Sequence, residues 1–289
     1  MNSILKSSVT SSTQAVSHAD GVLSSLQSRV PVRNAEEILD RYNFSDILGQ
    51  GGFGTVMKAT RKSDGLDVAI KVLPLTSQSL GEAQLLAHLD HPNIVQLIEV
   101  FFNGELIFLV QEYCEARITD IIKSIDSASI AMVVGQLLLG LQYIHSLGII
   151  HRDIKPDNIL LKKTAAGLTV KIADFGIAVA GCDGRAMQSA AGTNHFLAPE
   201  VINNVYDCKA DMWSLGVLVL YLLNKHLPFR GTSQRQIFHE ITTFDVNAVN
   251  FPGNTPESLK LLARALLDRN HTKRPSASEA LECEVFQRS

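Results

Sequence analysis

The chain has 289 residues, 46% of them hydrophobic and 19% charged, enough for one large or two small domains around a substantial core. Lys plus Arg number 26 and Asp plus Glu 29, a net charge of −3, so nothing in the charge balance points to nucleic acid or a membrane surface as a partner. Cys114, Cys182, Cys208 and Cys283 form no CxxC pair, which suits reduced thiols in a reducing compartment better than a metal clip.

His88 and His91 lie three apart, but no second ligand pair follows at a zinc-site spacing. Residues 1–10 lack the apolar core of a signal peptide, and the longest apolar stretch, 215–223, is too short to cross a bilayer. The expectation is a soluble intracellular protein, in the cytoplasm, the nucleus or both.

Residues 1–34 are Ser-rich at first, hold no sustained periodicity, and are expected to be a disordered extension. From Tyr42 short strands follow at 42–48, 55–60 and 66–72. Two more, at 95–102 and 106–111, are separated by Asn103-Gly104, a strong hairpin signal. Residues 80–89 between these groups carry apolar residues at helical spacing. After Cys114 the chain turns helical, with buried helices expected at 130–145 and 211–223 and amphipathic ones at 258–267 and 277–281. Strands first and helices second suggest two lobes with a cleft between them.

The first chemical motif is Gly49-Gln50-Gly51-Gly52-Phe53-Gly54-Thr55-Val56. Glycines let a backbone close over phosphates with its N–H groups turned toward the oxygens. In a dinucleotide-binding fold the last Gly would open a helix; here a strand continues, which makes the loop a hairpin lid or a Gly-rich turn without a ligand. Val68-Ala69-Ile70-Lys71 then embeds a lysine in an apolar strand. Such a lysine needs phosphates or a carboxylate, with Glu82 the nearest candidate, unless it points to solvent from an edge.

His151-Arg152-Asp153-Ile154-Lys155-Pro156-Asp157-Asn158 is the densest polar run in an apolar neighbourhood. Asp153 can accept a hydroxyl proton, Lys155 can stabilise a transferring phosphoryl group, and Asn158 can ligate a hard cation, although a surface loop can be as polar. Asp174-Phe175-Gly176 closes the apolar strand 170–173, and a carboxylate there suits magnesium or simply ends a strand.

With Ala198-Pro199-Glu200 completing the series, these motifs resemble eukaryotic protein kinases of the serine/threonine-specific type, in family order, over residues 42–286. The resemblance implies an α+β, bilobal protein kinase fold. Its N-lobe, 42–111, would be a small antiparallel β-sheet with one helix; a hinge, 112–114, would lead to a larger, mostly helical C-lobe, 115–286. It implies ATP and magnesium as cofactors, protein substrates with Ser or Thr acceptors, and no nucleic acid or membrane partner. Leu48, Gly49, Gln50, Gly51, Gly52, Phe53 and Gly54 would bind ATP, with Gly49, Gly51 and Gly54 covering its phosphates, Lys71 holding the α- and β-phosphates and Glu82 pairing with Lys71. Val56, Ala69 and Leu160 would sandwich adenine beside the gatekeeper Gln111 and the hinge Glu112, Tyr113 and Cys114. Asp153 would be the catalytic base with Lys155 beside it, and Asn158 and Asp174 would be the metal ligands.

Further positions follow from the same resemblance. Leu86, Leu97, His151 and Phe175 would form a stacked column, Asp211 would brace the catalytic loop, and Glu200 would pair with Arg274. Thr193 would contact Asp153 and Lys155 at the substrate platform. Ser189 would be the activating phosphosite, with Arg152 receiving its phosphate. Lys155 and Gly192-Thr193 favour serine/threonine over tyrosine acceptors. The rivals are a pseudokinase acting as a binding or scaffolding module, and a small-molecule phosphotransferase.

The sequence departs from the family in two places. Lys71 and Glu82 are only 11 positions apart, so the intervening helix starts late. Ser79-Leu80-Gly81-Glu82 reads as a capping box, which would compete with the Lys71 pair and leave room for a regulatory protein on that helix. Arg117 stands about where relatives carry an acidic ribose ligand.

Overall fold

In a computed structural model the described residues are 23–51, 54–165, 167–180, 194–202 and 207–287. They fall into two compact units. The first comprises the chain up to His88 together with Leu97–Gln111; the second comprises Leu89–Gln96 and everything from Glu112 onward.

The first unit is a six-stranded sheet in the order β1-β5-β6-β4-β3-β2. Its strands are β1 (Val32–Asn34), β2 (Tyr42–Gly51), β3 (Gly54–Arg61), β4 (Asp67–Pro74), β5 (Leu97–Phe102) and β6 (Leu106–Glu112). Alternation along β4 sorts its side chains between two faces. Val68 and Ile70 enter an apolar cluster with Ala35, Ile38, Tyr42, Ala59, Phe101, Phe108 and Val110, whereas Ala69 and Lys71 point the other way. The β5–β6 turn forms as its sequence demands: Gly104 takes φ 85° and the Asn103 side chain accepts from the N–H groups of Glu105 and Leu106.

Two expectations need correction here. Residues 23–34 are structured: 23–27 are helical, Leu23 and Leu26 are buried, and β1 pairs in parallel with β5. The sheet is therefore mixed rather than antiparallel, because β1 reaches it over a connection that returns in the same direction as β5. Arg33 on β1 donates to Glu99 at 3.0 Å, and Tyr42 donates its hydroxyl to the same carboxylate. The second correction concerns residues 89–96, which belong with the second unit. Val95 N donates to Ile172 O, Ile172 N to Asn93 O, and Asn93 Nδ2 to Val170 O.

The second unit is built on two buried helices, Ser127–Ser146 and Lys209–Asn224. The first has the length and apolarity to cross a membrane, but Ile130, Val133, Val134, Leu137, Leu138, Leu141 and Ile144 are buried within the unit. The second is apolar almost all round, as a helix enclosed by others must be. Its Trp213 lies among Phe229 and Phe244, with ring centroids 6.5 and 6.2 Å away. Short strands complete the unit: β7 (Ala116–Arg117), β8 (Ile149–Ile150), β9 (Ile159–Thr164), β10 (Gly167–Ile172) and β11 (Val179–Ala180). β9 and β10 form an antiparallel hairpin that places Ile159 opposite Ile172.

Candidate active site

In the first unit, β2 and β3 form the glycine hairpin, with Gly49 opposite Val56 and Gly51 opposite Gly54. Gly54 is obligatory: its φ is 125°, and a Cβ there would lie 2.2 Å from the Val72 carbonyl oxygen. A Cβ at Gly51 would meet nothing within 4 Å, so that backbone borders open space rather than protein. Gly52 and Phe53 lie outside the described residues. Val56 stands opposite Lys71 in the β3–β4 register, so Val56, Ala69 and Lys71 share one face. Leu48 and Gln50 lie on β2, and Gln111 is buried opposite Leu97 on β5.

Lys71 Nζ meets Glu82 Oε1 at 2.7 Å, and both side chains are buried. The expected competition between pairing and capping does not arise. The helix Ser77–His88 starts earlier than the capping-box reading required, and Thr76 and Ser79 cap it between themselves. Ser79 N donates to Thr76 Oγ1 and Thr76 N donates to Ser79 Oγ, at 3.2 and 2.9 Å. Glu82 sits a full turn further on, turned to Lys71.

In the second unit the His151–Asn158 loop is pinned from below. Asp211, fully buried, accepts from His151 N at 2.9 Å and Arg152 N at 2.8 Å. Those bonds fix Arg152 in the left-handed region, φ 72°, which a non-glycine residue adopts only when its surroundings over-determine it. His145 Nε2 reaches the same carboxylate at 2.8 Å. Burial works against the Asp211 charge, but the His145 hydrogen bond, the charges of His145 and His151 and the Arg152 N–H together hold its pKa below the usual carboxylate value.

Asp153 Oδ2 accepts from Lys155 Nζ at 2.6 Å and from Asn158 Nδ2 at 2.8 Å. No hydrogen bond reaches its other oxygen among the described residues, so one oxygen is anchored and the other can receive a proton. Asn158 Nδ2 also donates to Asp153 O, which turns the amide nitrogen toward Asp153 and leaves the amide oxygen for another partner. Ala173 N donates to Asn158 O at 2.9 Å. Asn158 and Asp174 therefore flank the paired strands β9 and β10, and Asp174 has φ 64°. An amide oxygen beside a carboxylate is the hard donor set that magnesium takes when phosphates complete its shell. Leu160 follows on β9, paired with Lys171 on β10.

His151 is fully buried, bonds Ala173 O, and meets the Phe175 ring edge-on at 4.7 Å. Arg274 and Glu200 form a two-pronged buried ion pair, at 2.6 and 3.1 Å, and the guanidinium lies over Trp213. His91 stacks on Tyr143 and His88 bonds Gln84 O. Thr193 and Ser189 lie outside the described residues.

Glu112 opens the second segment of the second unit with its carboxylate turned inward. Oε1 accepts from Gln96 N at 2.9 Å and meets Lys171 Nζ at 2.6 Å, while Oε2 meets Lys162 Nζ at 2.6 Å. Cys114 is pushed up to about 12, first by burial and then by the nearby Glu112 charge. The sequence reading missed His145 and both lysines. His145 is the penultimate residue of the Ser127–Ser146 helix, six positions before His151 and 66 from Asp211, so nothing local marked it.

The chain matches the protein kinase domain family over residues 42–286. It is 35% identical over 257 residues to a probable myosin light chain kinase of Dictyostelium discoideum, covering 83% of this chain and 82% of that protein. It is 36% identical over 253 residues to the serine/threonine-protein kinase PEPKR2 of Arabidopsis thaliana, covering 85% and 53%. It is 35% identical over 264 residues to calcium-dependent protein kinase 3 of Plasmodium berghei, covering 86% and 47%. The chain thus spans about half the length of the last two. With the glycine hairpin, the Lys71–Glu82 pair and the Asp153 loop in the family's order, the chain belongs to the eukaryotic protein kinase family.

Proposed function

We propose that the chain is an active serine/threonine protein kinase that transfers the γ-phosphoryl group of ATP to Ser or Thr hydroxyls of protein substrates. The observation that carries this reading is the state of Asp153, anchored through one oxygen by Lys155 and Asn158 and, among the described residues, without a hydrogen bond at the other. In this reading Asp153 orients the acceptor hydroxyl and takes its proton as the oxygen attacks the γ-phosphorus in line. Lys155 offsets the negative charge that develops on the transferring group. Lys71, held by Glu82, binds the α- and β-phosphates, and the backbone of residues 112–114 receives adenine beside Gln111, Val56, Ala69 and Leu160. Asn158 and Asp174 would hold magnesium, which neutralises phosphate charge when bound.

Thr193 belongs to the substrate platform in this reading, and Ser189, with Arg152 as its cation, is the activating phosphosite. A regulatory protein would act on the Ser77–His88 helix, since moving that helix moves Glu82. An intracellular site of action, cytoplasmic or nuclear, accords with the thiols and the charge balance.

A peptide array incubated with purified protein, ATP and magnesium tests the reading. Phosphate on Ser and Thr peptides, lost when magnesium is chelated, is the expected result. Nucleotide binding without transfer to any peptide would favour a pseudokinase instead. For Ser189, phosphatase treatment and Ser189→Ala should each lower the steady-state rate; if neither does, that switch does not exist.

A further inference from the structure

The side chain of Glu112 has no part in the scheme above, yet it is the most heavily coordinated carboxylate near the proposed adenine contact. It is buried, and it joins three separate stretches of chain. Gln96 N–H binds it from the segment that precedes β5, Lys162 binds it from β9, and Lys171 binds it from β10. Glu112 also donates its own N–H to Gln96 O at 3.0 Å, so the residue is gripped by backbone and side chain at once. Lys171 Nζ bonds Ile94 O as well.

A buried ionic cluster is a poor source of net stability, since an apolar cluster of the same volume is often as stable or more so. What it supplies is orientation, because each charge-assisted bond is short and directional. The strands involved are also those of the site. Lys171 stands three residues before Asp174 on the strand that leads to it, and Lys162 lies four residues after Asn158. Burial opposes the Lys162 ammonium, but the hydrogen bond and charge of Glu112, with the nearby Cys114 and Glu115, together hold its pKa above the ordinary value.

We infer that Glu112 is a positioning residue for the nucleotide: Lys162, Lys171 and Gln96 lock its carboxylate, and the lock fixes the backbone of residues 112–114 in the geometry that receives adenine. The inference rests on the kinase reading, because it assumes that adenine is bound at these residues. It adds that adenine affinity depends on a side chain that never touches the nucleotide.

Calorimetry with adenosine and, separately, with magnesium tripolyphosphate separates the two ends of ATP without requiring transfer. Glu112→Gln should weaken adenosine about tenfold, close to 1.4 kcal/mol, and leave tripolyphosphate within twofold. In steady-state assays it should raise KM for ATP by a similar factor with kcat within threefold. Because Glu112→Gln strands the buried Lys171, the double variant Glu112→Gln/Lys171→Met guards against simple unfolding. It should recover the thermal midpoint but not the adenosine affinity. Recovery of both together, or wild-type adenosine binding by Glu112→Gln, overturns the inference even if transfer is normal. If the wild-type protein transfers no phosphate but binds adenosine, the activity proposal fails while the inference is still decided by the variants. If the wild type binds no adenosine, both fall.

Discussion

In the first unit the Lys71 ammonium is held by Glu82 at 2.7 Å, a bond between two long side chains that joins a strand to a helix. In the second unit Asp211 takes two backbone N–H groups of the loop that carries Asp153, at 2.9 and 2.8 Å. The first arrangement tolerates movement: rotating or sliding the Ser77–His88 helix separates the carboxylate from the lysine and leaves both backbones intact. The second does not, because the bonded groups are the loop itself, and Arg152 is already in a conformation it would leave if released. The Asp153 loop is therefore the locked half of this comparison and the Lys71 pair the adjustable half.

Breaking the locked half should have the largest effect. Asp211→Ala leaves the His151 and Arg152 N–H groups without acceptors, at about 1–3 kcal/mol for each buried donor. Urea unfolding should register the loss, and transfer should fall with it. The milder Asp211→Asn reports on charge. The Asp211 pKa is depressed in the folded protein, so its ionic contribution is present above the unfolded carboxylate value of about 3.9 and is lost as pH falls through the folded value. The stability difference between wild type and Asp211→Asn should therefore be constant above about pH 5 and shrink below about pH 4. A difference that widens in acid would contradict the assignment.

Breaking the adjustable half should cost less. Glu82→Gln removes a charge-assisted bond worth about 1.5–3 kcal/mol and should raise KM for ATP while leaving the fold cooperative. Hydrogen exchange should quicken in the Ser77–His88 helix and remain unchanged in the residue 151–158 loop. Equal quickening in both would erase the contrast between the units. Thr76→Ala removes half of the reciprocal cap at the start of that helix, about 1 kcal/mol, and should show a smaller version of the same exchange pattern. The smallest response belongs to Cys114, whose thiol at about 12 stays protonated at pH 8. Iodoacetamide that fully labels free cysteine should leave Cys114 nearly unmodified in the folded protein; rapid labelling there would show that its thiolate is not suppressed.

The same contrast explains what the sequence made legible. The glycine-loop residues lie within eight positions of one another, and so do those of the catalytic loop, so the order within each identified the chemistry. Strands β2 to β6 and the four long or amphipathic helices named from periodicity carry their patterns locally and appear within a few residues of the expected ends. The helix cap was misread because Ser79 has two possible partners, Thr76 before it and Glu82 after it, and only the position of Lys71 decides between them. Strand β1 was invisible because three residues reveal no period and gain meaning only from pairing with β5, 68 positions on. Glu112 was named for its backbone, but its lysine partners are 50 and 59 positions away. The helix Gln234–Thr243 could have been found, since Ser233 and Gln236 spell a capping box that the structure forms.

The most direct measurement is transfer and nucleotide binding by wild type and Asp153→Ala, side by side. Asp153 is held by Lys155 and Asn158 within its own loop, and the proposal gives it the acceptor hydroxyl rather than the nucleotide. Asp153→Ala should lower kcat on a Ser or Thr peptide by about 10²–10⁴ and leave magnesium-ATP affinity within threefold. A variant that keeps most of the wild-type turnover, or a wild type that binds magnesium-ATP and phosphorylates nothing, would contradict the account.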